Sequence, residues 1–361
     1  MKPTEQLHQM GQSLWLDNIT RGLLTSGTLE RYIRELSITG LTSNPSIFDH
    51  AIRNTEFYDE AIRTKMQAKA GGEKLFFELA LEDLTRAADL FRPVYDATNG
   101  LDGWVSLEVS PLLADDPAKT LEAAKQLFAS ADRPNLFIKI PGTPQGLSAI
   151  EDAIFAGIPV NVTLLFSRDQ YLKAASAYMR GIERRIEAGL NPAVHSVASI
   201  FISRWDKAVA DKEPDGLKGR LGIAVAMQAY KAYRDLPISP QWLQLAAKGA
   251  FAQRLLWAST GTKDPKASDT FYIDALAAPD TVNTMPEATL LAFADHGHVP
   301  HSLPVDGGDC ETVLDGFARG GIDAAKLAAQ LQREGAEEFV KSWNDLLQCI
   351  ESKAHAVLAG A

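Results

Sequence analysis

Four short segments of the chain carry polar residues among apolar neighbours. Lys139 stands in Asn-Leu-Phe-Ile-Lys-Ile-Pro, Asp17 follows Leu-Trp-Leu, Glu108 lies in Trp-Val-Ser-Leu-Glu-Val, and Asn161 and Thr163 lie in Val-Asn-Val-Thr-Leu-Leu-Phe. Lys139 is the most informative of them. It alternates with Ile138 and Ile140, so in a strand its side chain points to the face opposite theirs. An ammonium taken out of water is costly, and burial together with neighbouring cations favours the neutral amine. That amine attacks a carbonyl carbon to give a carbinolamine and then an iminium ion, an electron sink for cleaving an adjacent carbon–carbon bond. An ordinary strand lysine would instead be a charge that protects a sheet edge. A closed barrel has no edge to protect.

Such chemistry also needs groups that move protons, because dehydration of the carbinolamine and cleavage of the bond each transfer one. Asp17 and Glu108 are the candidates. One carboxylate would take the proton of a substrate hydroxyl during cleavage; the other, through a water held by Thr163, would serve dehydration. Read singly, Asp17 could be a loop cap and Glu108 a solvated strand-end charge; it is their shared placement at strand ends that argues for chemistry. Asn44 and Asn161 offer neutral amides for sugar hydroxyls, although Asn44 in Thr-Ser-Asn-Pro-Ser also suits a turn. Ser199, Arg204 and Lys263 follow the sixth and seventh candidate strands, where barrels commonly bind phosphate. Arg204, beside Trp205, also suits a surface ion pair. Asp295, His296, His298 and His301 in Asp-His-Gly-His-Val-Pro-His look superficially like metal ligands, but Gly and Pro mark a loop and no second ligand cluster accompanies them. No metal is expected.

These residues need a scaffold that brings strand ends together. Candidate strands fall at residues 14–18, 38–42, 104–109, 136–140, 160–165, 197–202, 255–259 and 281–285, separated by segments of helical period. Eight such units close an α/β (β/α)8 barrel, the TIM barrel, whose active site forms at the carboxyl ends of the strands. Helix signals agree with this. Asp116 before Pro117 caps one helix, Thr143 with Pro144 starts another that Gly157 stops, and Ser167 with Gln170 makes a capping box for a third. An insert at about 45–102 holds an amphipathic helix with Phe76, Leu79, Leu84, Ala87 and Phe91. From about residue 323 the chain returns to helix, with Leu327, Leu331, Phe339, Trp343 and Leu347 available for packing. No Gly/Ser-rich or Pro-rich linker isolates the insert, so residues 1–361 are expected to form a single barrel domain with additional helices.

Composition bounds the function. Apolar residues make up 46% and charged residues 23%, the balance of a globular protein. A formal charge of -10 opposes binding to nucleic acid and to acidic membranes, while local cations still admit small anions. Cys310 and Cys349 are the only cysteines, too few and too far apart for a disulfide framework or a thiolate cluster. The amino-terminal stretch lacks the apolar core of a signal peptide, and a cytoplasmic location is expected.

The segments Leu-Trp-Leu-Asp-Asn-Ile (14–19), Gly-Leu-Thr-Ser-Asn-Pro-Ser-Ile-Phe (40–48), Val-Ser-Leu-Glu-Val (105–109), Ile-Lys-Ile-Pro-Gly-Thr (138–143) and Asn-Val-Thr-Leu-Leu-Phe-Ser (161–167) resemble transaldolase motifs in their order. With Trp-Ala-Ser-Thr-Gly-Thr-Lys (257–263) and Pro-Asp-Thr-Val-Asn-Thr-Met-Pro (279–286) the resemblance covers most of the chain and is strongest to the larger bacterial members. It implies reversible transfer of a dihydroxyacetone unit from sedoheptulose 7-phosphate to glyceraldehyde 3-phosphate, giving erythrose 4-phosphate and fructose 6-phosphate in the non-oxidative pentose phosphate pathway. No metal or organic cofactor is implied, sugar phosphates are the partners it implies, and a monomer or homodimer is expected. Carried over by motif, Lys139 would form the Schiff base, Asp17 would act on the sugar hydroxyl, and Glu108 with Thr163 would position the water. Asn44 and Asn161 would contact the sugar, and Ser199 with Arg204 its phosphate. Where the family has a second phosphate-binding arginine this chain reads Ser-Thr-Gly-Thr-Lys, which puts Lys263 in that place. Two other readings compete. Simple aldolases of the same superfamily typically carry Gln at the position of Glu108 and Tyr at that of Phe201, so both residues here favour transfer. A barrel that only senses sugar phosphates would be expected to have lost Lys139, Asp17 or Glu108.

Overall fold

Eight parallel strands pair in chain order and close on themselves in the computed structural model, which describes residues 1–68, 70–299 and 301–359. They are β1 (Ser13–Asp17), β2 (Ile38–Thr42), β3 (Trp104–Glu108), β4 (Leu136–Pro141), β5 (Val160–Leu165), β6 (Ser196–Phe201), β7 (Arg254–Ala258) and β8 (Val282–Met285). The expected (β/α)8 barrel is therefore present, and β1 pairs with β8 to close it. The strands are short, so each contributes only two or three inward side chains. Trp15, Trp104, Phe137, Val197, Leu256 and Val282 belong to one buried cluster inside the barrel. The alternating residues Leu14, Leu16, Leu136, Ile138, Ile140, Val160 and Val162 belong to the cluster shared with the helix layer. The two tryptophans leave no room beside them on β2. A Cβ at Gly40 would stand 2.7 Å from both the Trp15 indole nitrogen and the Trp104 carbonyl oxygen.

Several strand edges differ by one residue from the sequence expectation, two of them for a common reason. β1 and β7 begin earlier, at Ser13 and Arg254, because both polar side chains are satisfied inside the amino-terminal end of the barrel. Arg254 donates to Ser13 Oγ at 2.7 Å, to the Thr281 carbonyl at 3.0 Å and to the Leu101 carbonyl at 3.1 Å. The Ser13 hydroxyl in turn donates to Asp102, which also accepts from the Trp15 indole at 2.8 Å. A search for apolar runs passes over such residues. The helix expected from Thr143 starts later, at Gly146, since Thr143 Oγ1 accepts from the Gly146 amide at 3.2 Å. Asp116 caps its helix through the Lys119 amide, and Ser167 caps through the Gln170 amide, as their spacing predicts. The return bond of Gln170 goes to the Phe166 amide.

Three helices lie between β2 and β3: Pro45–Asn54, Asp59–Gln67 and Gly72–Ala97. The first and last meet the terminal helix, Ala324–Ala359, around Phe48, Phe76, Phe77 and Trp343, with Phe76 edge-on to both Phe48 and Trp343. That terminal helix crosses the carboxyl end of the barrel. Gln332 donates to the Gly142 carbonyl at 3.0 Å and to the Leu164 carbonyl at 2.9 Å, tying the helix to the ends of β4 and β5. Leu164 has a left-handed φ of 59° where the register of β5 shifts, a conformation disfavoured for a branched side chain. Its carbonyl is thereby turned to the terminal helix.

Candidate active site

The carboxyl end of the barrel holds the polar layer. In register, Lys139 on β4 pairs with Glu108 on β3 and with Asn161 on β5, and Asp17 on β1 pairs with Thr42 on β2. Period-two alternation sends these side chains inward. Lys139 is 6% exposed, and its Nζ donates to the Ser43 carbonyl at 2.9 Å and lies 3.6 Å from Glu108 Oε2. It also stands 6.0 Å from the centroid of the Phe339 ring, which the terminal helix lowers over it.

Both carboxyl groups are held above their ordinary range. Burial is the main cause for each, opposed chiefly by the nearby Lys139 charge. Asp17 Oδ1 accepts from Thr42 Oγ1 at 2.8 Å, and Thr42 shares a 2.7 Å bond with Thr284. Asn161 is held by Ser106 at 3.2 Å and Ser199 at 2.7 Å. Thr163 Oγ1 and Glu108 Oε2 are buried and make no hydrogen bond among the described residues. Buried oxygens in that condition fit a site that handles water or substrate hydroxyls.

A cavity of about 260 Å³ opens onto Lys139, and it gathers residues distant in sequence. Asp17, Asn44, Asn161, Thr163, Ser199, Phe201, Arg204 and Lys263 all line it, with Lys139 itself. Glu108 borders the neighbouring cavity beneath Phe339 and reaches Lys139 from that side. Every residue singled out for chemistry is thus within this end of the barrel. Asn44 serves the local structure too, since its side chain accepts from the Ile47 amide at 3.1 Å and caps the helix Pro45–Asn54. Arg204 is placed by the fully buried Trp205, whose indole donates to the Phe166 carbonyl at 3.0 Å. The Arg204 guanidinium lies 5.5 Å from the Phe201 ring and pairs with Glu338 at 2.7 Å.

Sequence reading missed the contribution of Thr42, Ser259, Thr284, Glu338, Phe339 and Ser342, all of which line the cavity. Phe339 was legible only as a packing residue, and nothing local distinguishes Glu338 from other exposed glutamates on a long helix. His296 pairs with Asp269 and Asp295 on the surface, and no metal-holding group of three or more His, Cys, Asp or Glu occurs among the described residues. Pro300 of that same stretch lies outside the described residues. A larger cavity of about 520 Å³ sits at the opposite end, around Arg254, His195, Phe251 and Trp104. Burial and the Arg254 charge press His195 down to about 4, leaving a neutral ring stacked on Phe251. It does not reach Lys139.

The fold and this site define a closed (β/α)8 barrel that presents a buried lysine amine to a cavity at the carboxyl ends of its strands. Residues 14–350 match the family described as Transaldolase/Fructose-6-phosphate aldolase. Curated relatives match over nearly their whole length. A "Transaldolase 1" of Streptomyces avermitilis is 44% identical over 96% of this chain and 94% of its own. A "Transaldolase" of Parafrankia sp. is 43% identical over 98% of each chain, and a "Transaldolase 2" of Nostoc punctiforme is 41% identical over 96% of each. The chain belongs to the transaldolase/fructose-6-phosphate aldolase family, and it is an enzyme of the transferase class.

Proposed function

We infer that this protein transfers a dihydroxyacetone unit reversibly between sugar phosphates as a transaldolase, from sedoheptulose 7-phosphate to glyceraldehyde 3-phosphate, with Lys139 carrying the unit. The observation that carries the reading is the Lys139 amine, buried at the carboxyl end of a closed barrel, 3.6 Å from Glu108 and open to the cavity that Asp17 lines. The amine attacks the ketose carbonyl carbon, and the carbinolamine loses water to leave an iminium ion. Asp17 takes the proton of the hydroxyl carried by the far carbon of the bond to be broken. That bond's electron pair passes into the iminium, the aldehyde leaves, and a three-carbon enamine stays on Lys139. The enamine then attacks the carbonyl of the acceptor aldehyde, Asp17 returns its proton, and water releases the product ketose.

Glu108 and Thr163 handle the water and protons of the two iminium steps. Their otherwise unpartnered buried oxygens support that assignment. A carboxyl group held above its usual range is suited to such work, because it gives and takes a proton closer to neutral pH. Asn44 and Asn161 contact the sugar; Arg204, Lys263 and Ser199 take the phosphate at the other side of the same cavity, against Phe201. The surface of the remaining molecule, at a formal charge of -10, does not suit nucleic acid. Among the described residues no helix is long and apolar enough to cross a membrane, and a cytoplasmic location belongs to this reading.

Borohydride reduction in the presence of fructose 6-phosphate, followed by peptide mass mapping and a coupled assay with erythrose 4-phosphate, tests the proposal. A three-carbon adduct on Lys139 with acceptor-dependent turnover is expected. Turnover without acceptor would make the protein a simple aldolase, and absence of the adduct would remove the Schiff base.

A further inference from the structure

The cation that the proposed function assigns to the substrate phosphate already has an anion on it. Arg204 Nη1 lies 2.7 Å from Glu338 Oε2, and both side chains line the Lys139 cavity. Their freedom is unequal. The Arg204 side chain is 24% exposed, against the Phe201 ring and beside the buried Trp205, whereas Glu338 is 60% exposed and is reached from solvent. The terminal helix is held close at this point. Gly335, one turn before Glu338, brings the helix backbone so near that a Cβ there would stand 3.4 Å from Arg204 Nη1 and 2.9 Å from Leu164 Cδ2. Gln332, one turn earlier still, ties the same face to the Gly142 and Leu164 carbonyls. By contrast Lys263, which lines the same cavity, makes no ion pair among the described residues.

From this arrangement we propose that Glu338 is a specificity-determining residue: its carboxylate occupies the anion position on Arg204 in the unliganded enzyme and is displaced by the substrate phosphate. The proposal rests on the assignment of Arg204 to phosphate. A phosphate dianion on the guanidinium cannot share that face with a carboxylate at hydrogen-bond distance, because like charges in contact repel. The exposed partner is the one that moves. A dianion holding both Arg204 and Lys263 outcompetes a single carboxylate held at one end. An unphosphorylated sugar has no group that does so. Glu338 therefore lowers the affinity of the subsite for every anion while keeping a lone arginine charge from standing unpaired at the cavity wall, and only a strong anion opens it.

The experiment compares the parent enzyme with Glu338→Gln, which keeps the shape of the side chain and removes its charge. Three quantities are read: KM for fructose 6-phosphate, KM for unphosphorylated fructose as donor, and the inhibition constant of inorganic phosphate. The ratio of the first KM to the second is expected to fall about two- to fivefold, and the phosphate inhibition constant by a similar factor, as suits a pair with one well-solvated partner. Arg204→Gln separates the two readings. If it leaves phosphate inhibition unchanged, the assignment of Arg204 to phosphate fails and this inference with it. If Arg204→Gln weakens phosphate binding but Glu338→Gln raises the ratio or leaves it unmoved, Glu338 merely orients the arginine and displacement is wrong. In the Arg204→Gln background, Glu338→Gln is expected to have no further effect on phosphate; an undiminished effect would also overturn the proposal.

Discussion

Lys139 is useful because its surroundings do two opposed things at once. The barrel removes the amine from water, while Glu108 and the Ser43 carbonyl keep it satisfied until a carbonyl substrate arrives. Replacing it by Ala is expected to abolish the borohydride adduct and to lower kcat by a factor of about 10³ or more, since no other group in the cavity forms the covalent link. Asp17 makes a prediction of a different kind. Burial raises its carboxyl above the ordinary aspartate value of 3.8, so the folded state binds its proton more readily than the unfolded chain does. Its favourable contribution is present below that value and is lost as pH rises through the higher folded one; at neutral pH the ionised group is a burden on stability. Asp17→Asn is therefore expected to melt at a higher temperature than the parent at neutral pH, with the gap closing as pH falls toward 3.8. Activity moves the other way, by roughly 10² to 10⁴ in kcat, the usual worth of a general base. A variant no more stable than the parent at neutral pH would contradict this account of Asp17.

The terminal helix, Ala324–Ala359, belongs to the site as much as any strand. Its inner face runs Gln332, Gly335, Phe339 and Ser342, residues three or four apart that share one side of a helix. Gln332 fastens it to two carbonyls, Gly335 lets it approach, and Phe339 and Ser342 look into the cavity. Gly335→Val would push against Leu164 Cδ2, which a Cβ already meets at 2.9 Å. The helix must lift or the buried Leu164 side chain must turn away from it. Steady-state kinetics should show kcat/KM reduced about tenfold to a hundredfold, the effect expected when the groups around a reacting centre move by about 1 Å. The borohydride adduct should still form. Loss of the adduct would mean that the substitution disrupts the barrel itself.

The two ends of the barrel divide stability from chemistry. At the carboxyl end, buried polar groups are left for a substrate; at the amino end the Arg254, Ser13, Asp102 and Trp15 network is closed on itself. Asp102→Ala removes the acceptor of both the Ser13 hydroxyl and the Trp15 indole, two buried donors. Denaturant unfolding is expected to show a loss of about 2 kcal/mol or more, since each buried donor left unsatisfied costs about 1–3 kcal/mol. Activity per folded molecule should be retained, because Lys139 and its cavity lie at the far end. A fall in kcat that exceeds the loss of folded protein would show that the two ends are coupled.

Much of this is legible in the sequence alone. Strands β1 to β8 could be located from β-branched runs, and Lys139, Asp17 and Glu108 from polar residues breaking those runs, because both signals are local: a period of two and a charge where none was needed. Arg254 and Ser13 were passed over as strand residues for the same local reason, since their partners Asp102 and Thr281 are far away in sequence. Phe339 was legible only as a packing residue, and Glu338 and Ser342 gave no local sign at all. Their place over Lys139 depends on how a helix more than 180 residues downstream crosses the barrel, which is set by Gln332, Gly335 and the aromatic contacts of Phe76 with Trp343. Periodicity and residue type thus determined the barrel and its reacting lysine. Which side chains close over that lysine, and which anion waits on Arg204, was decided only by packing between segments remote in sequence.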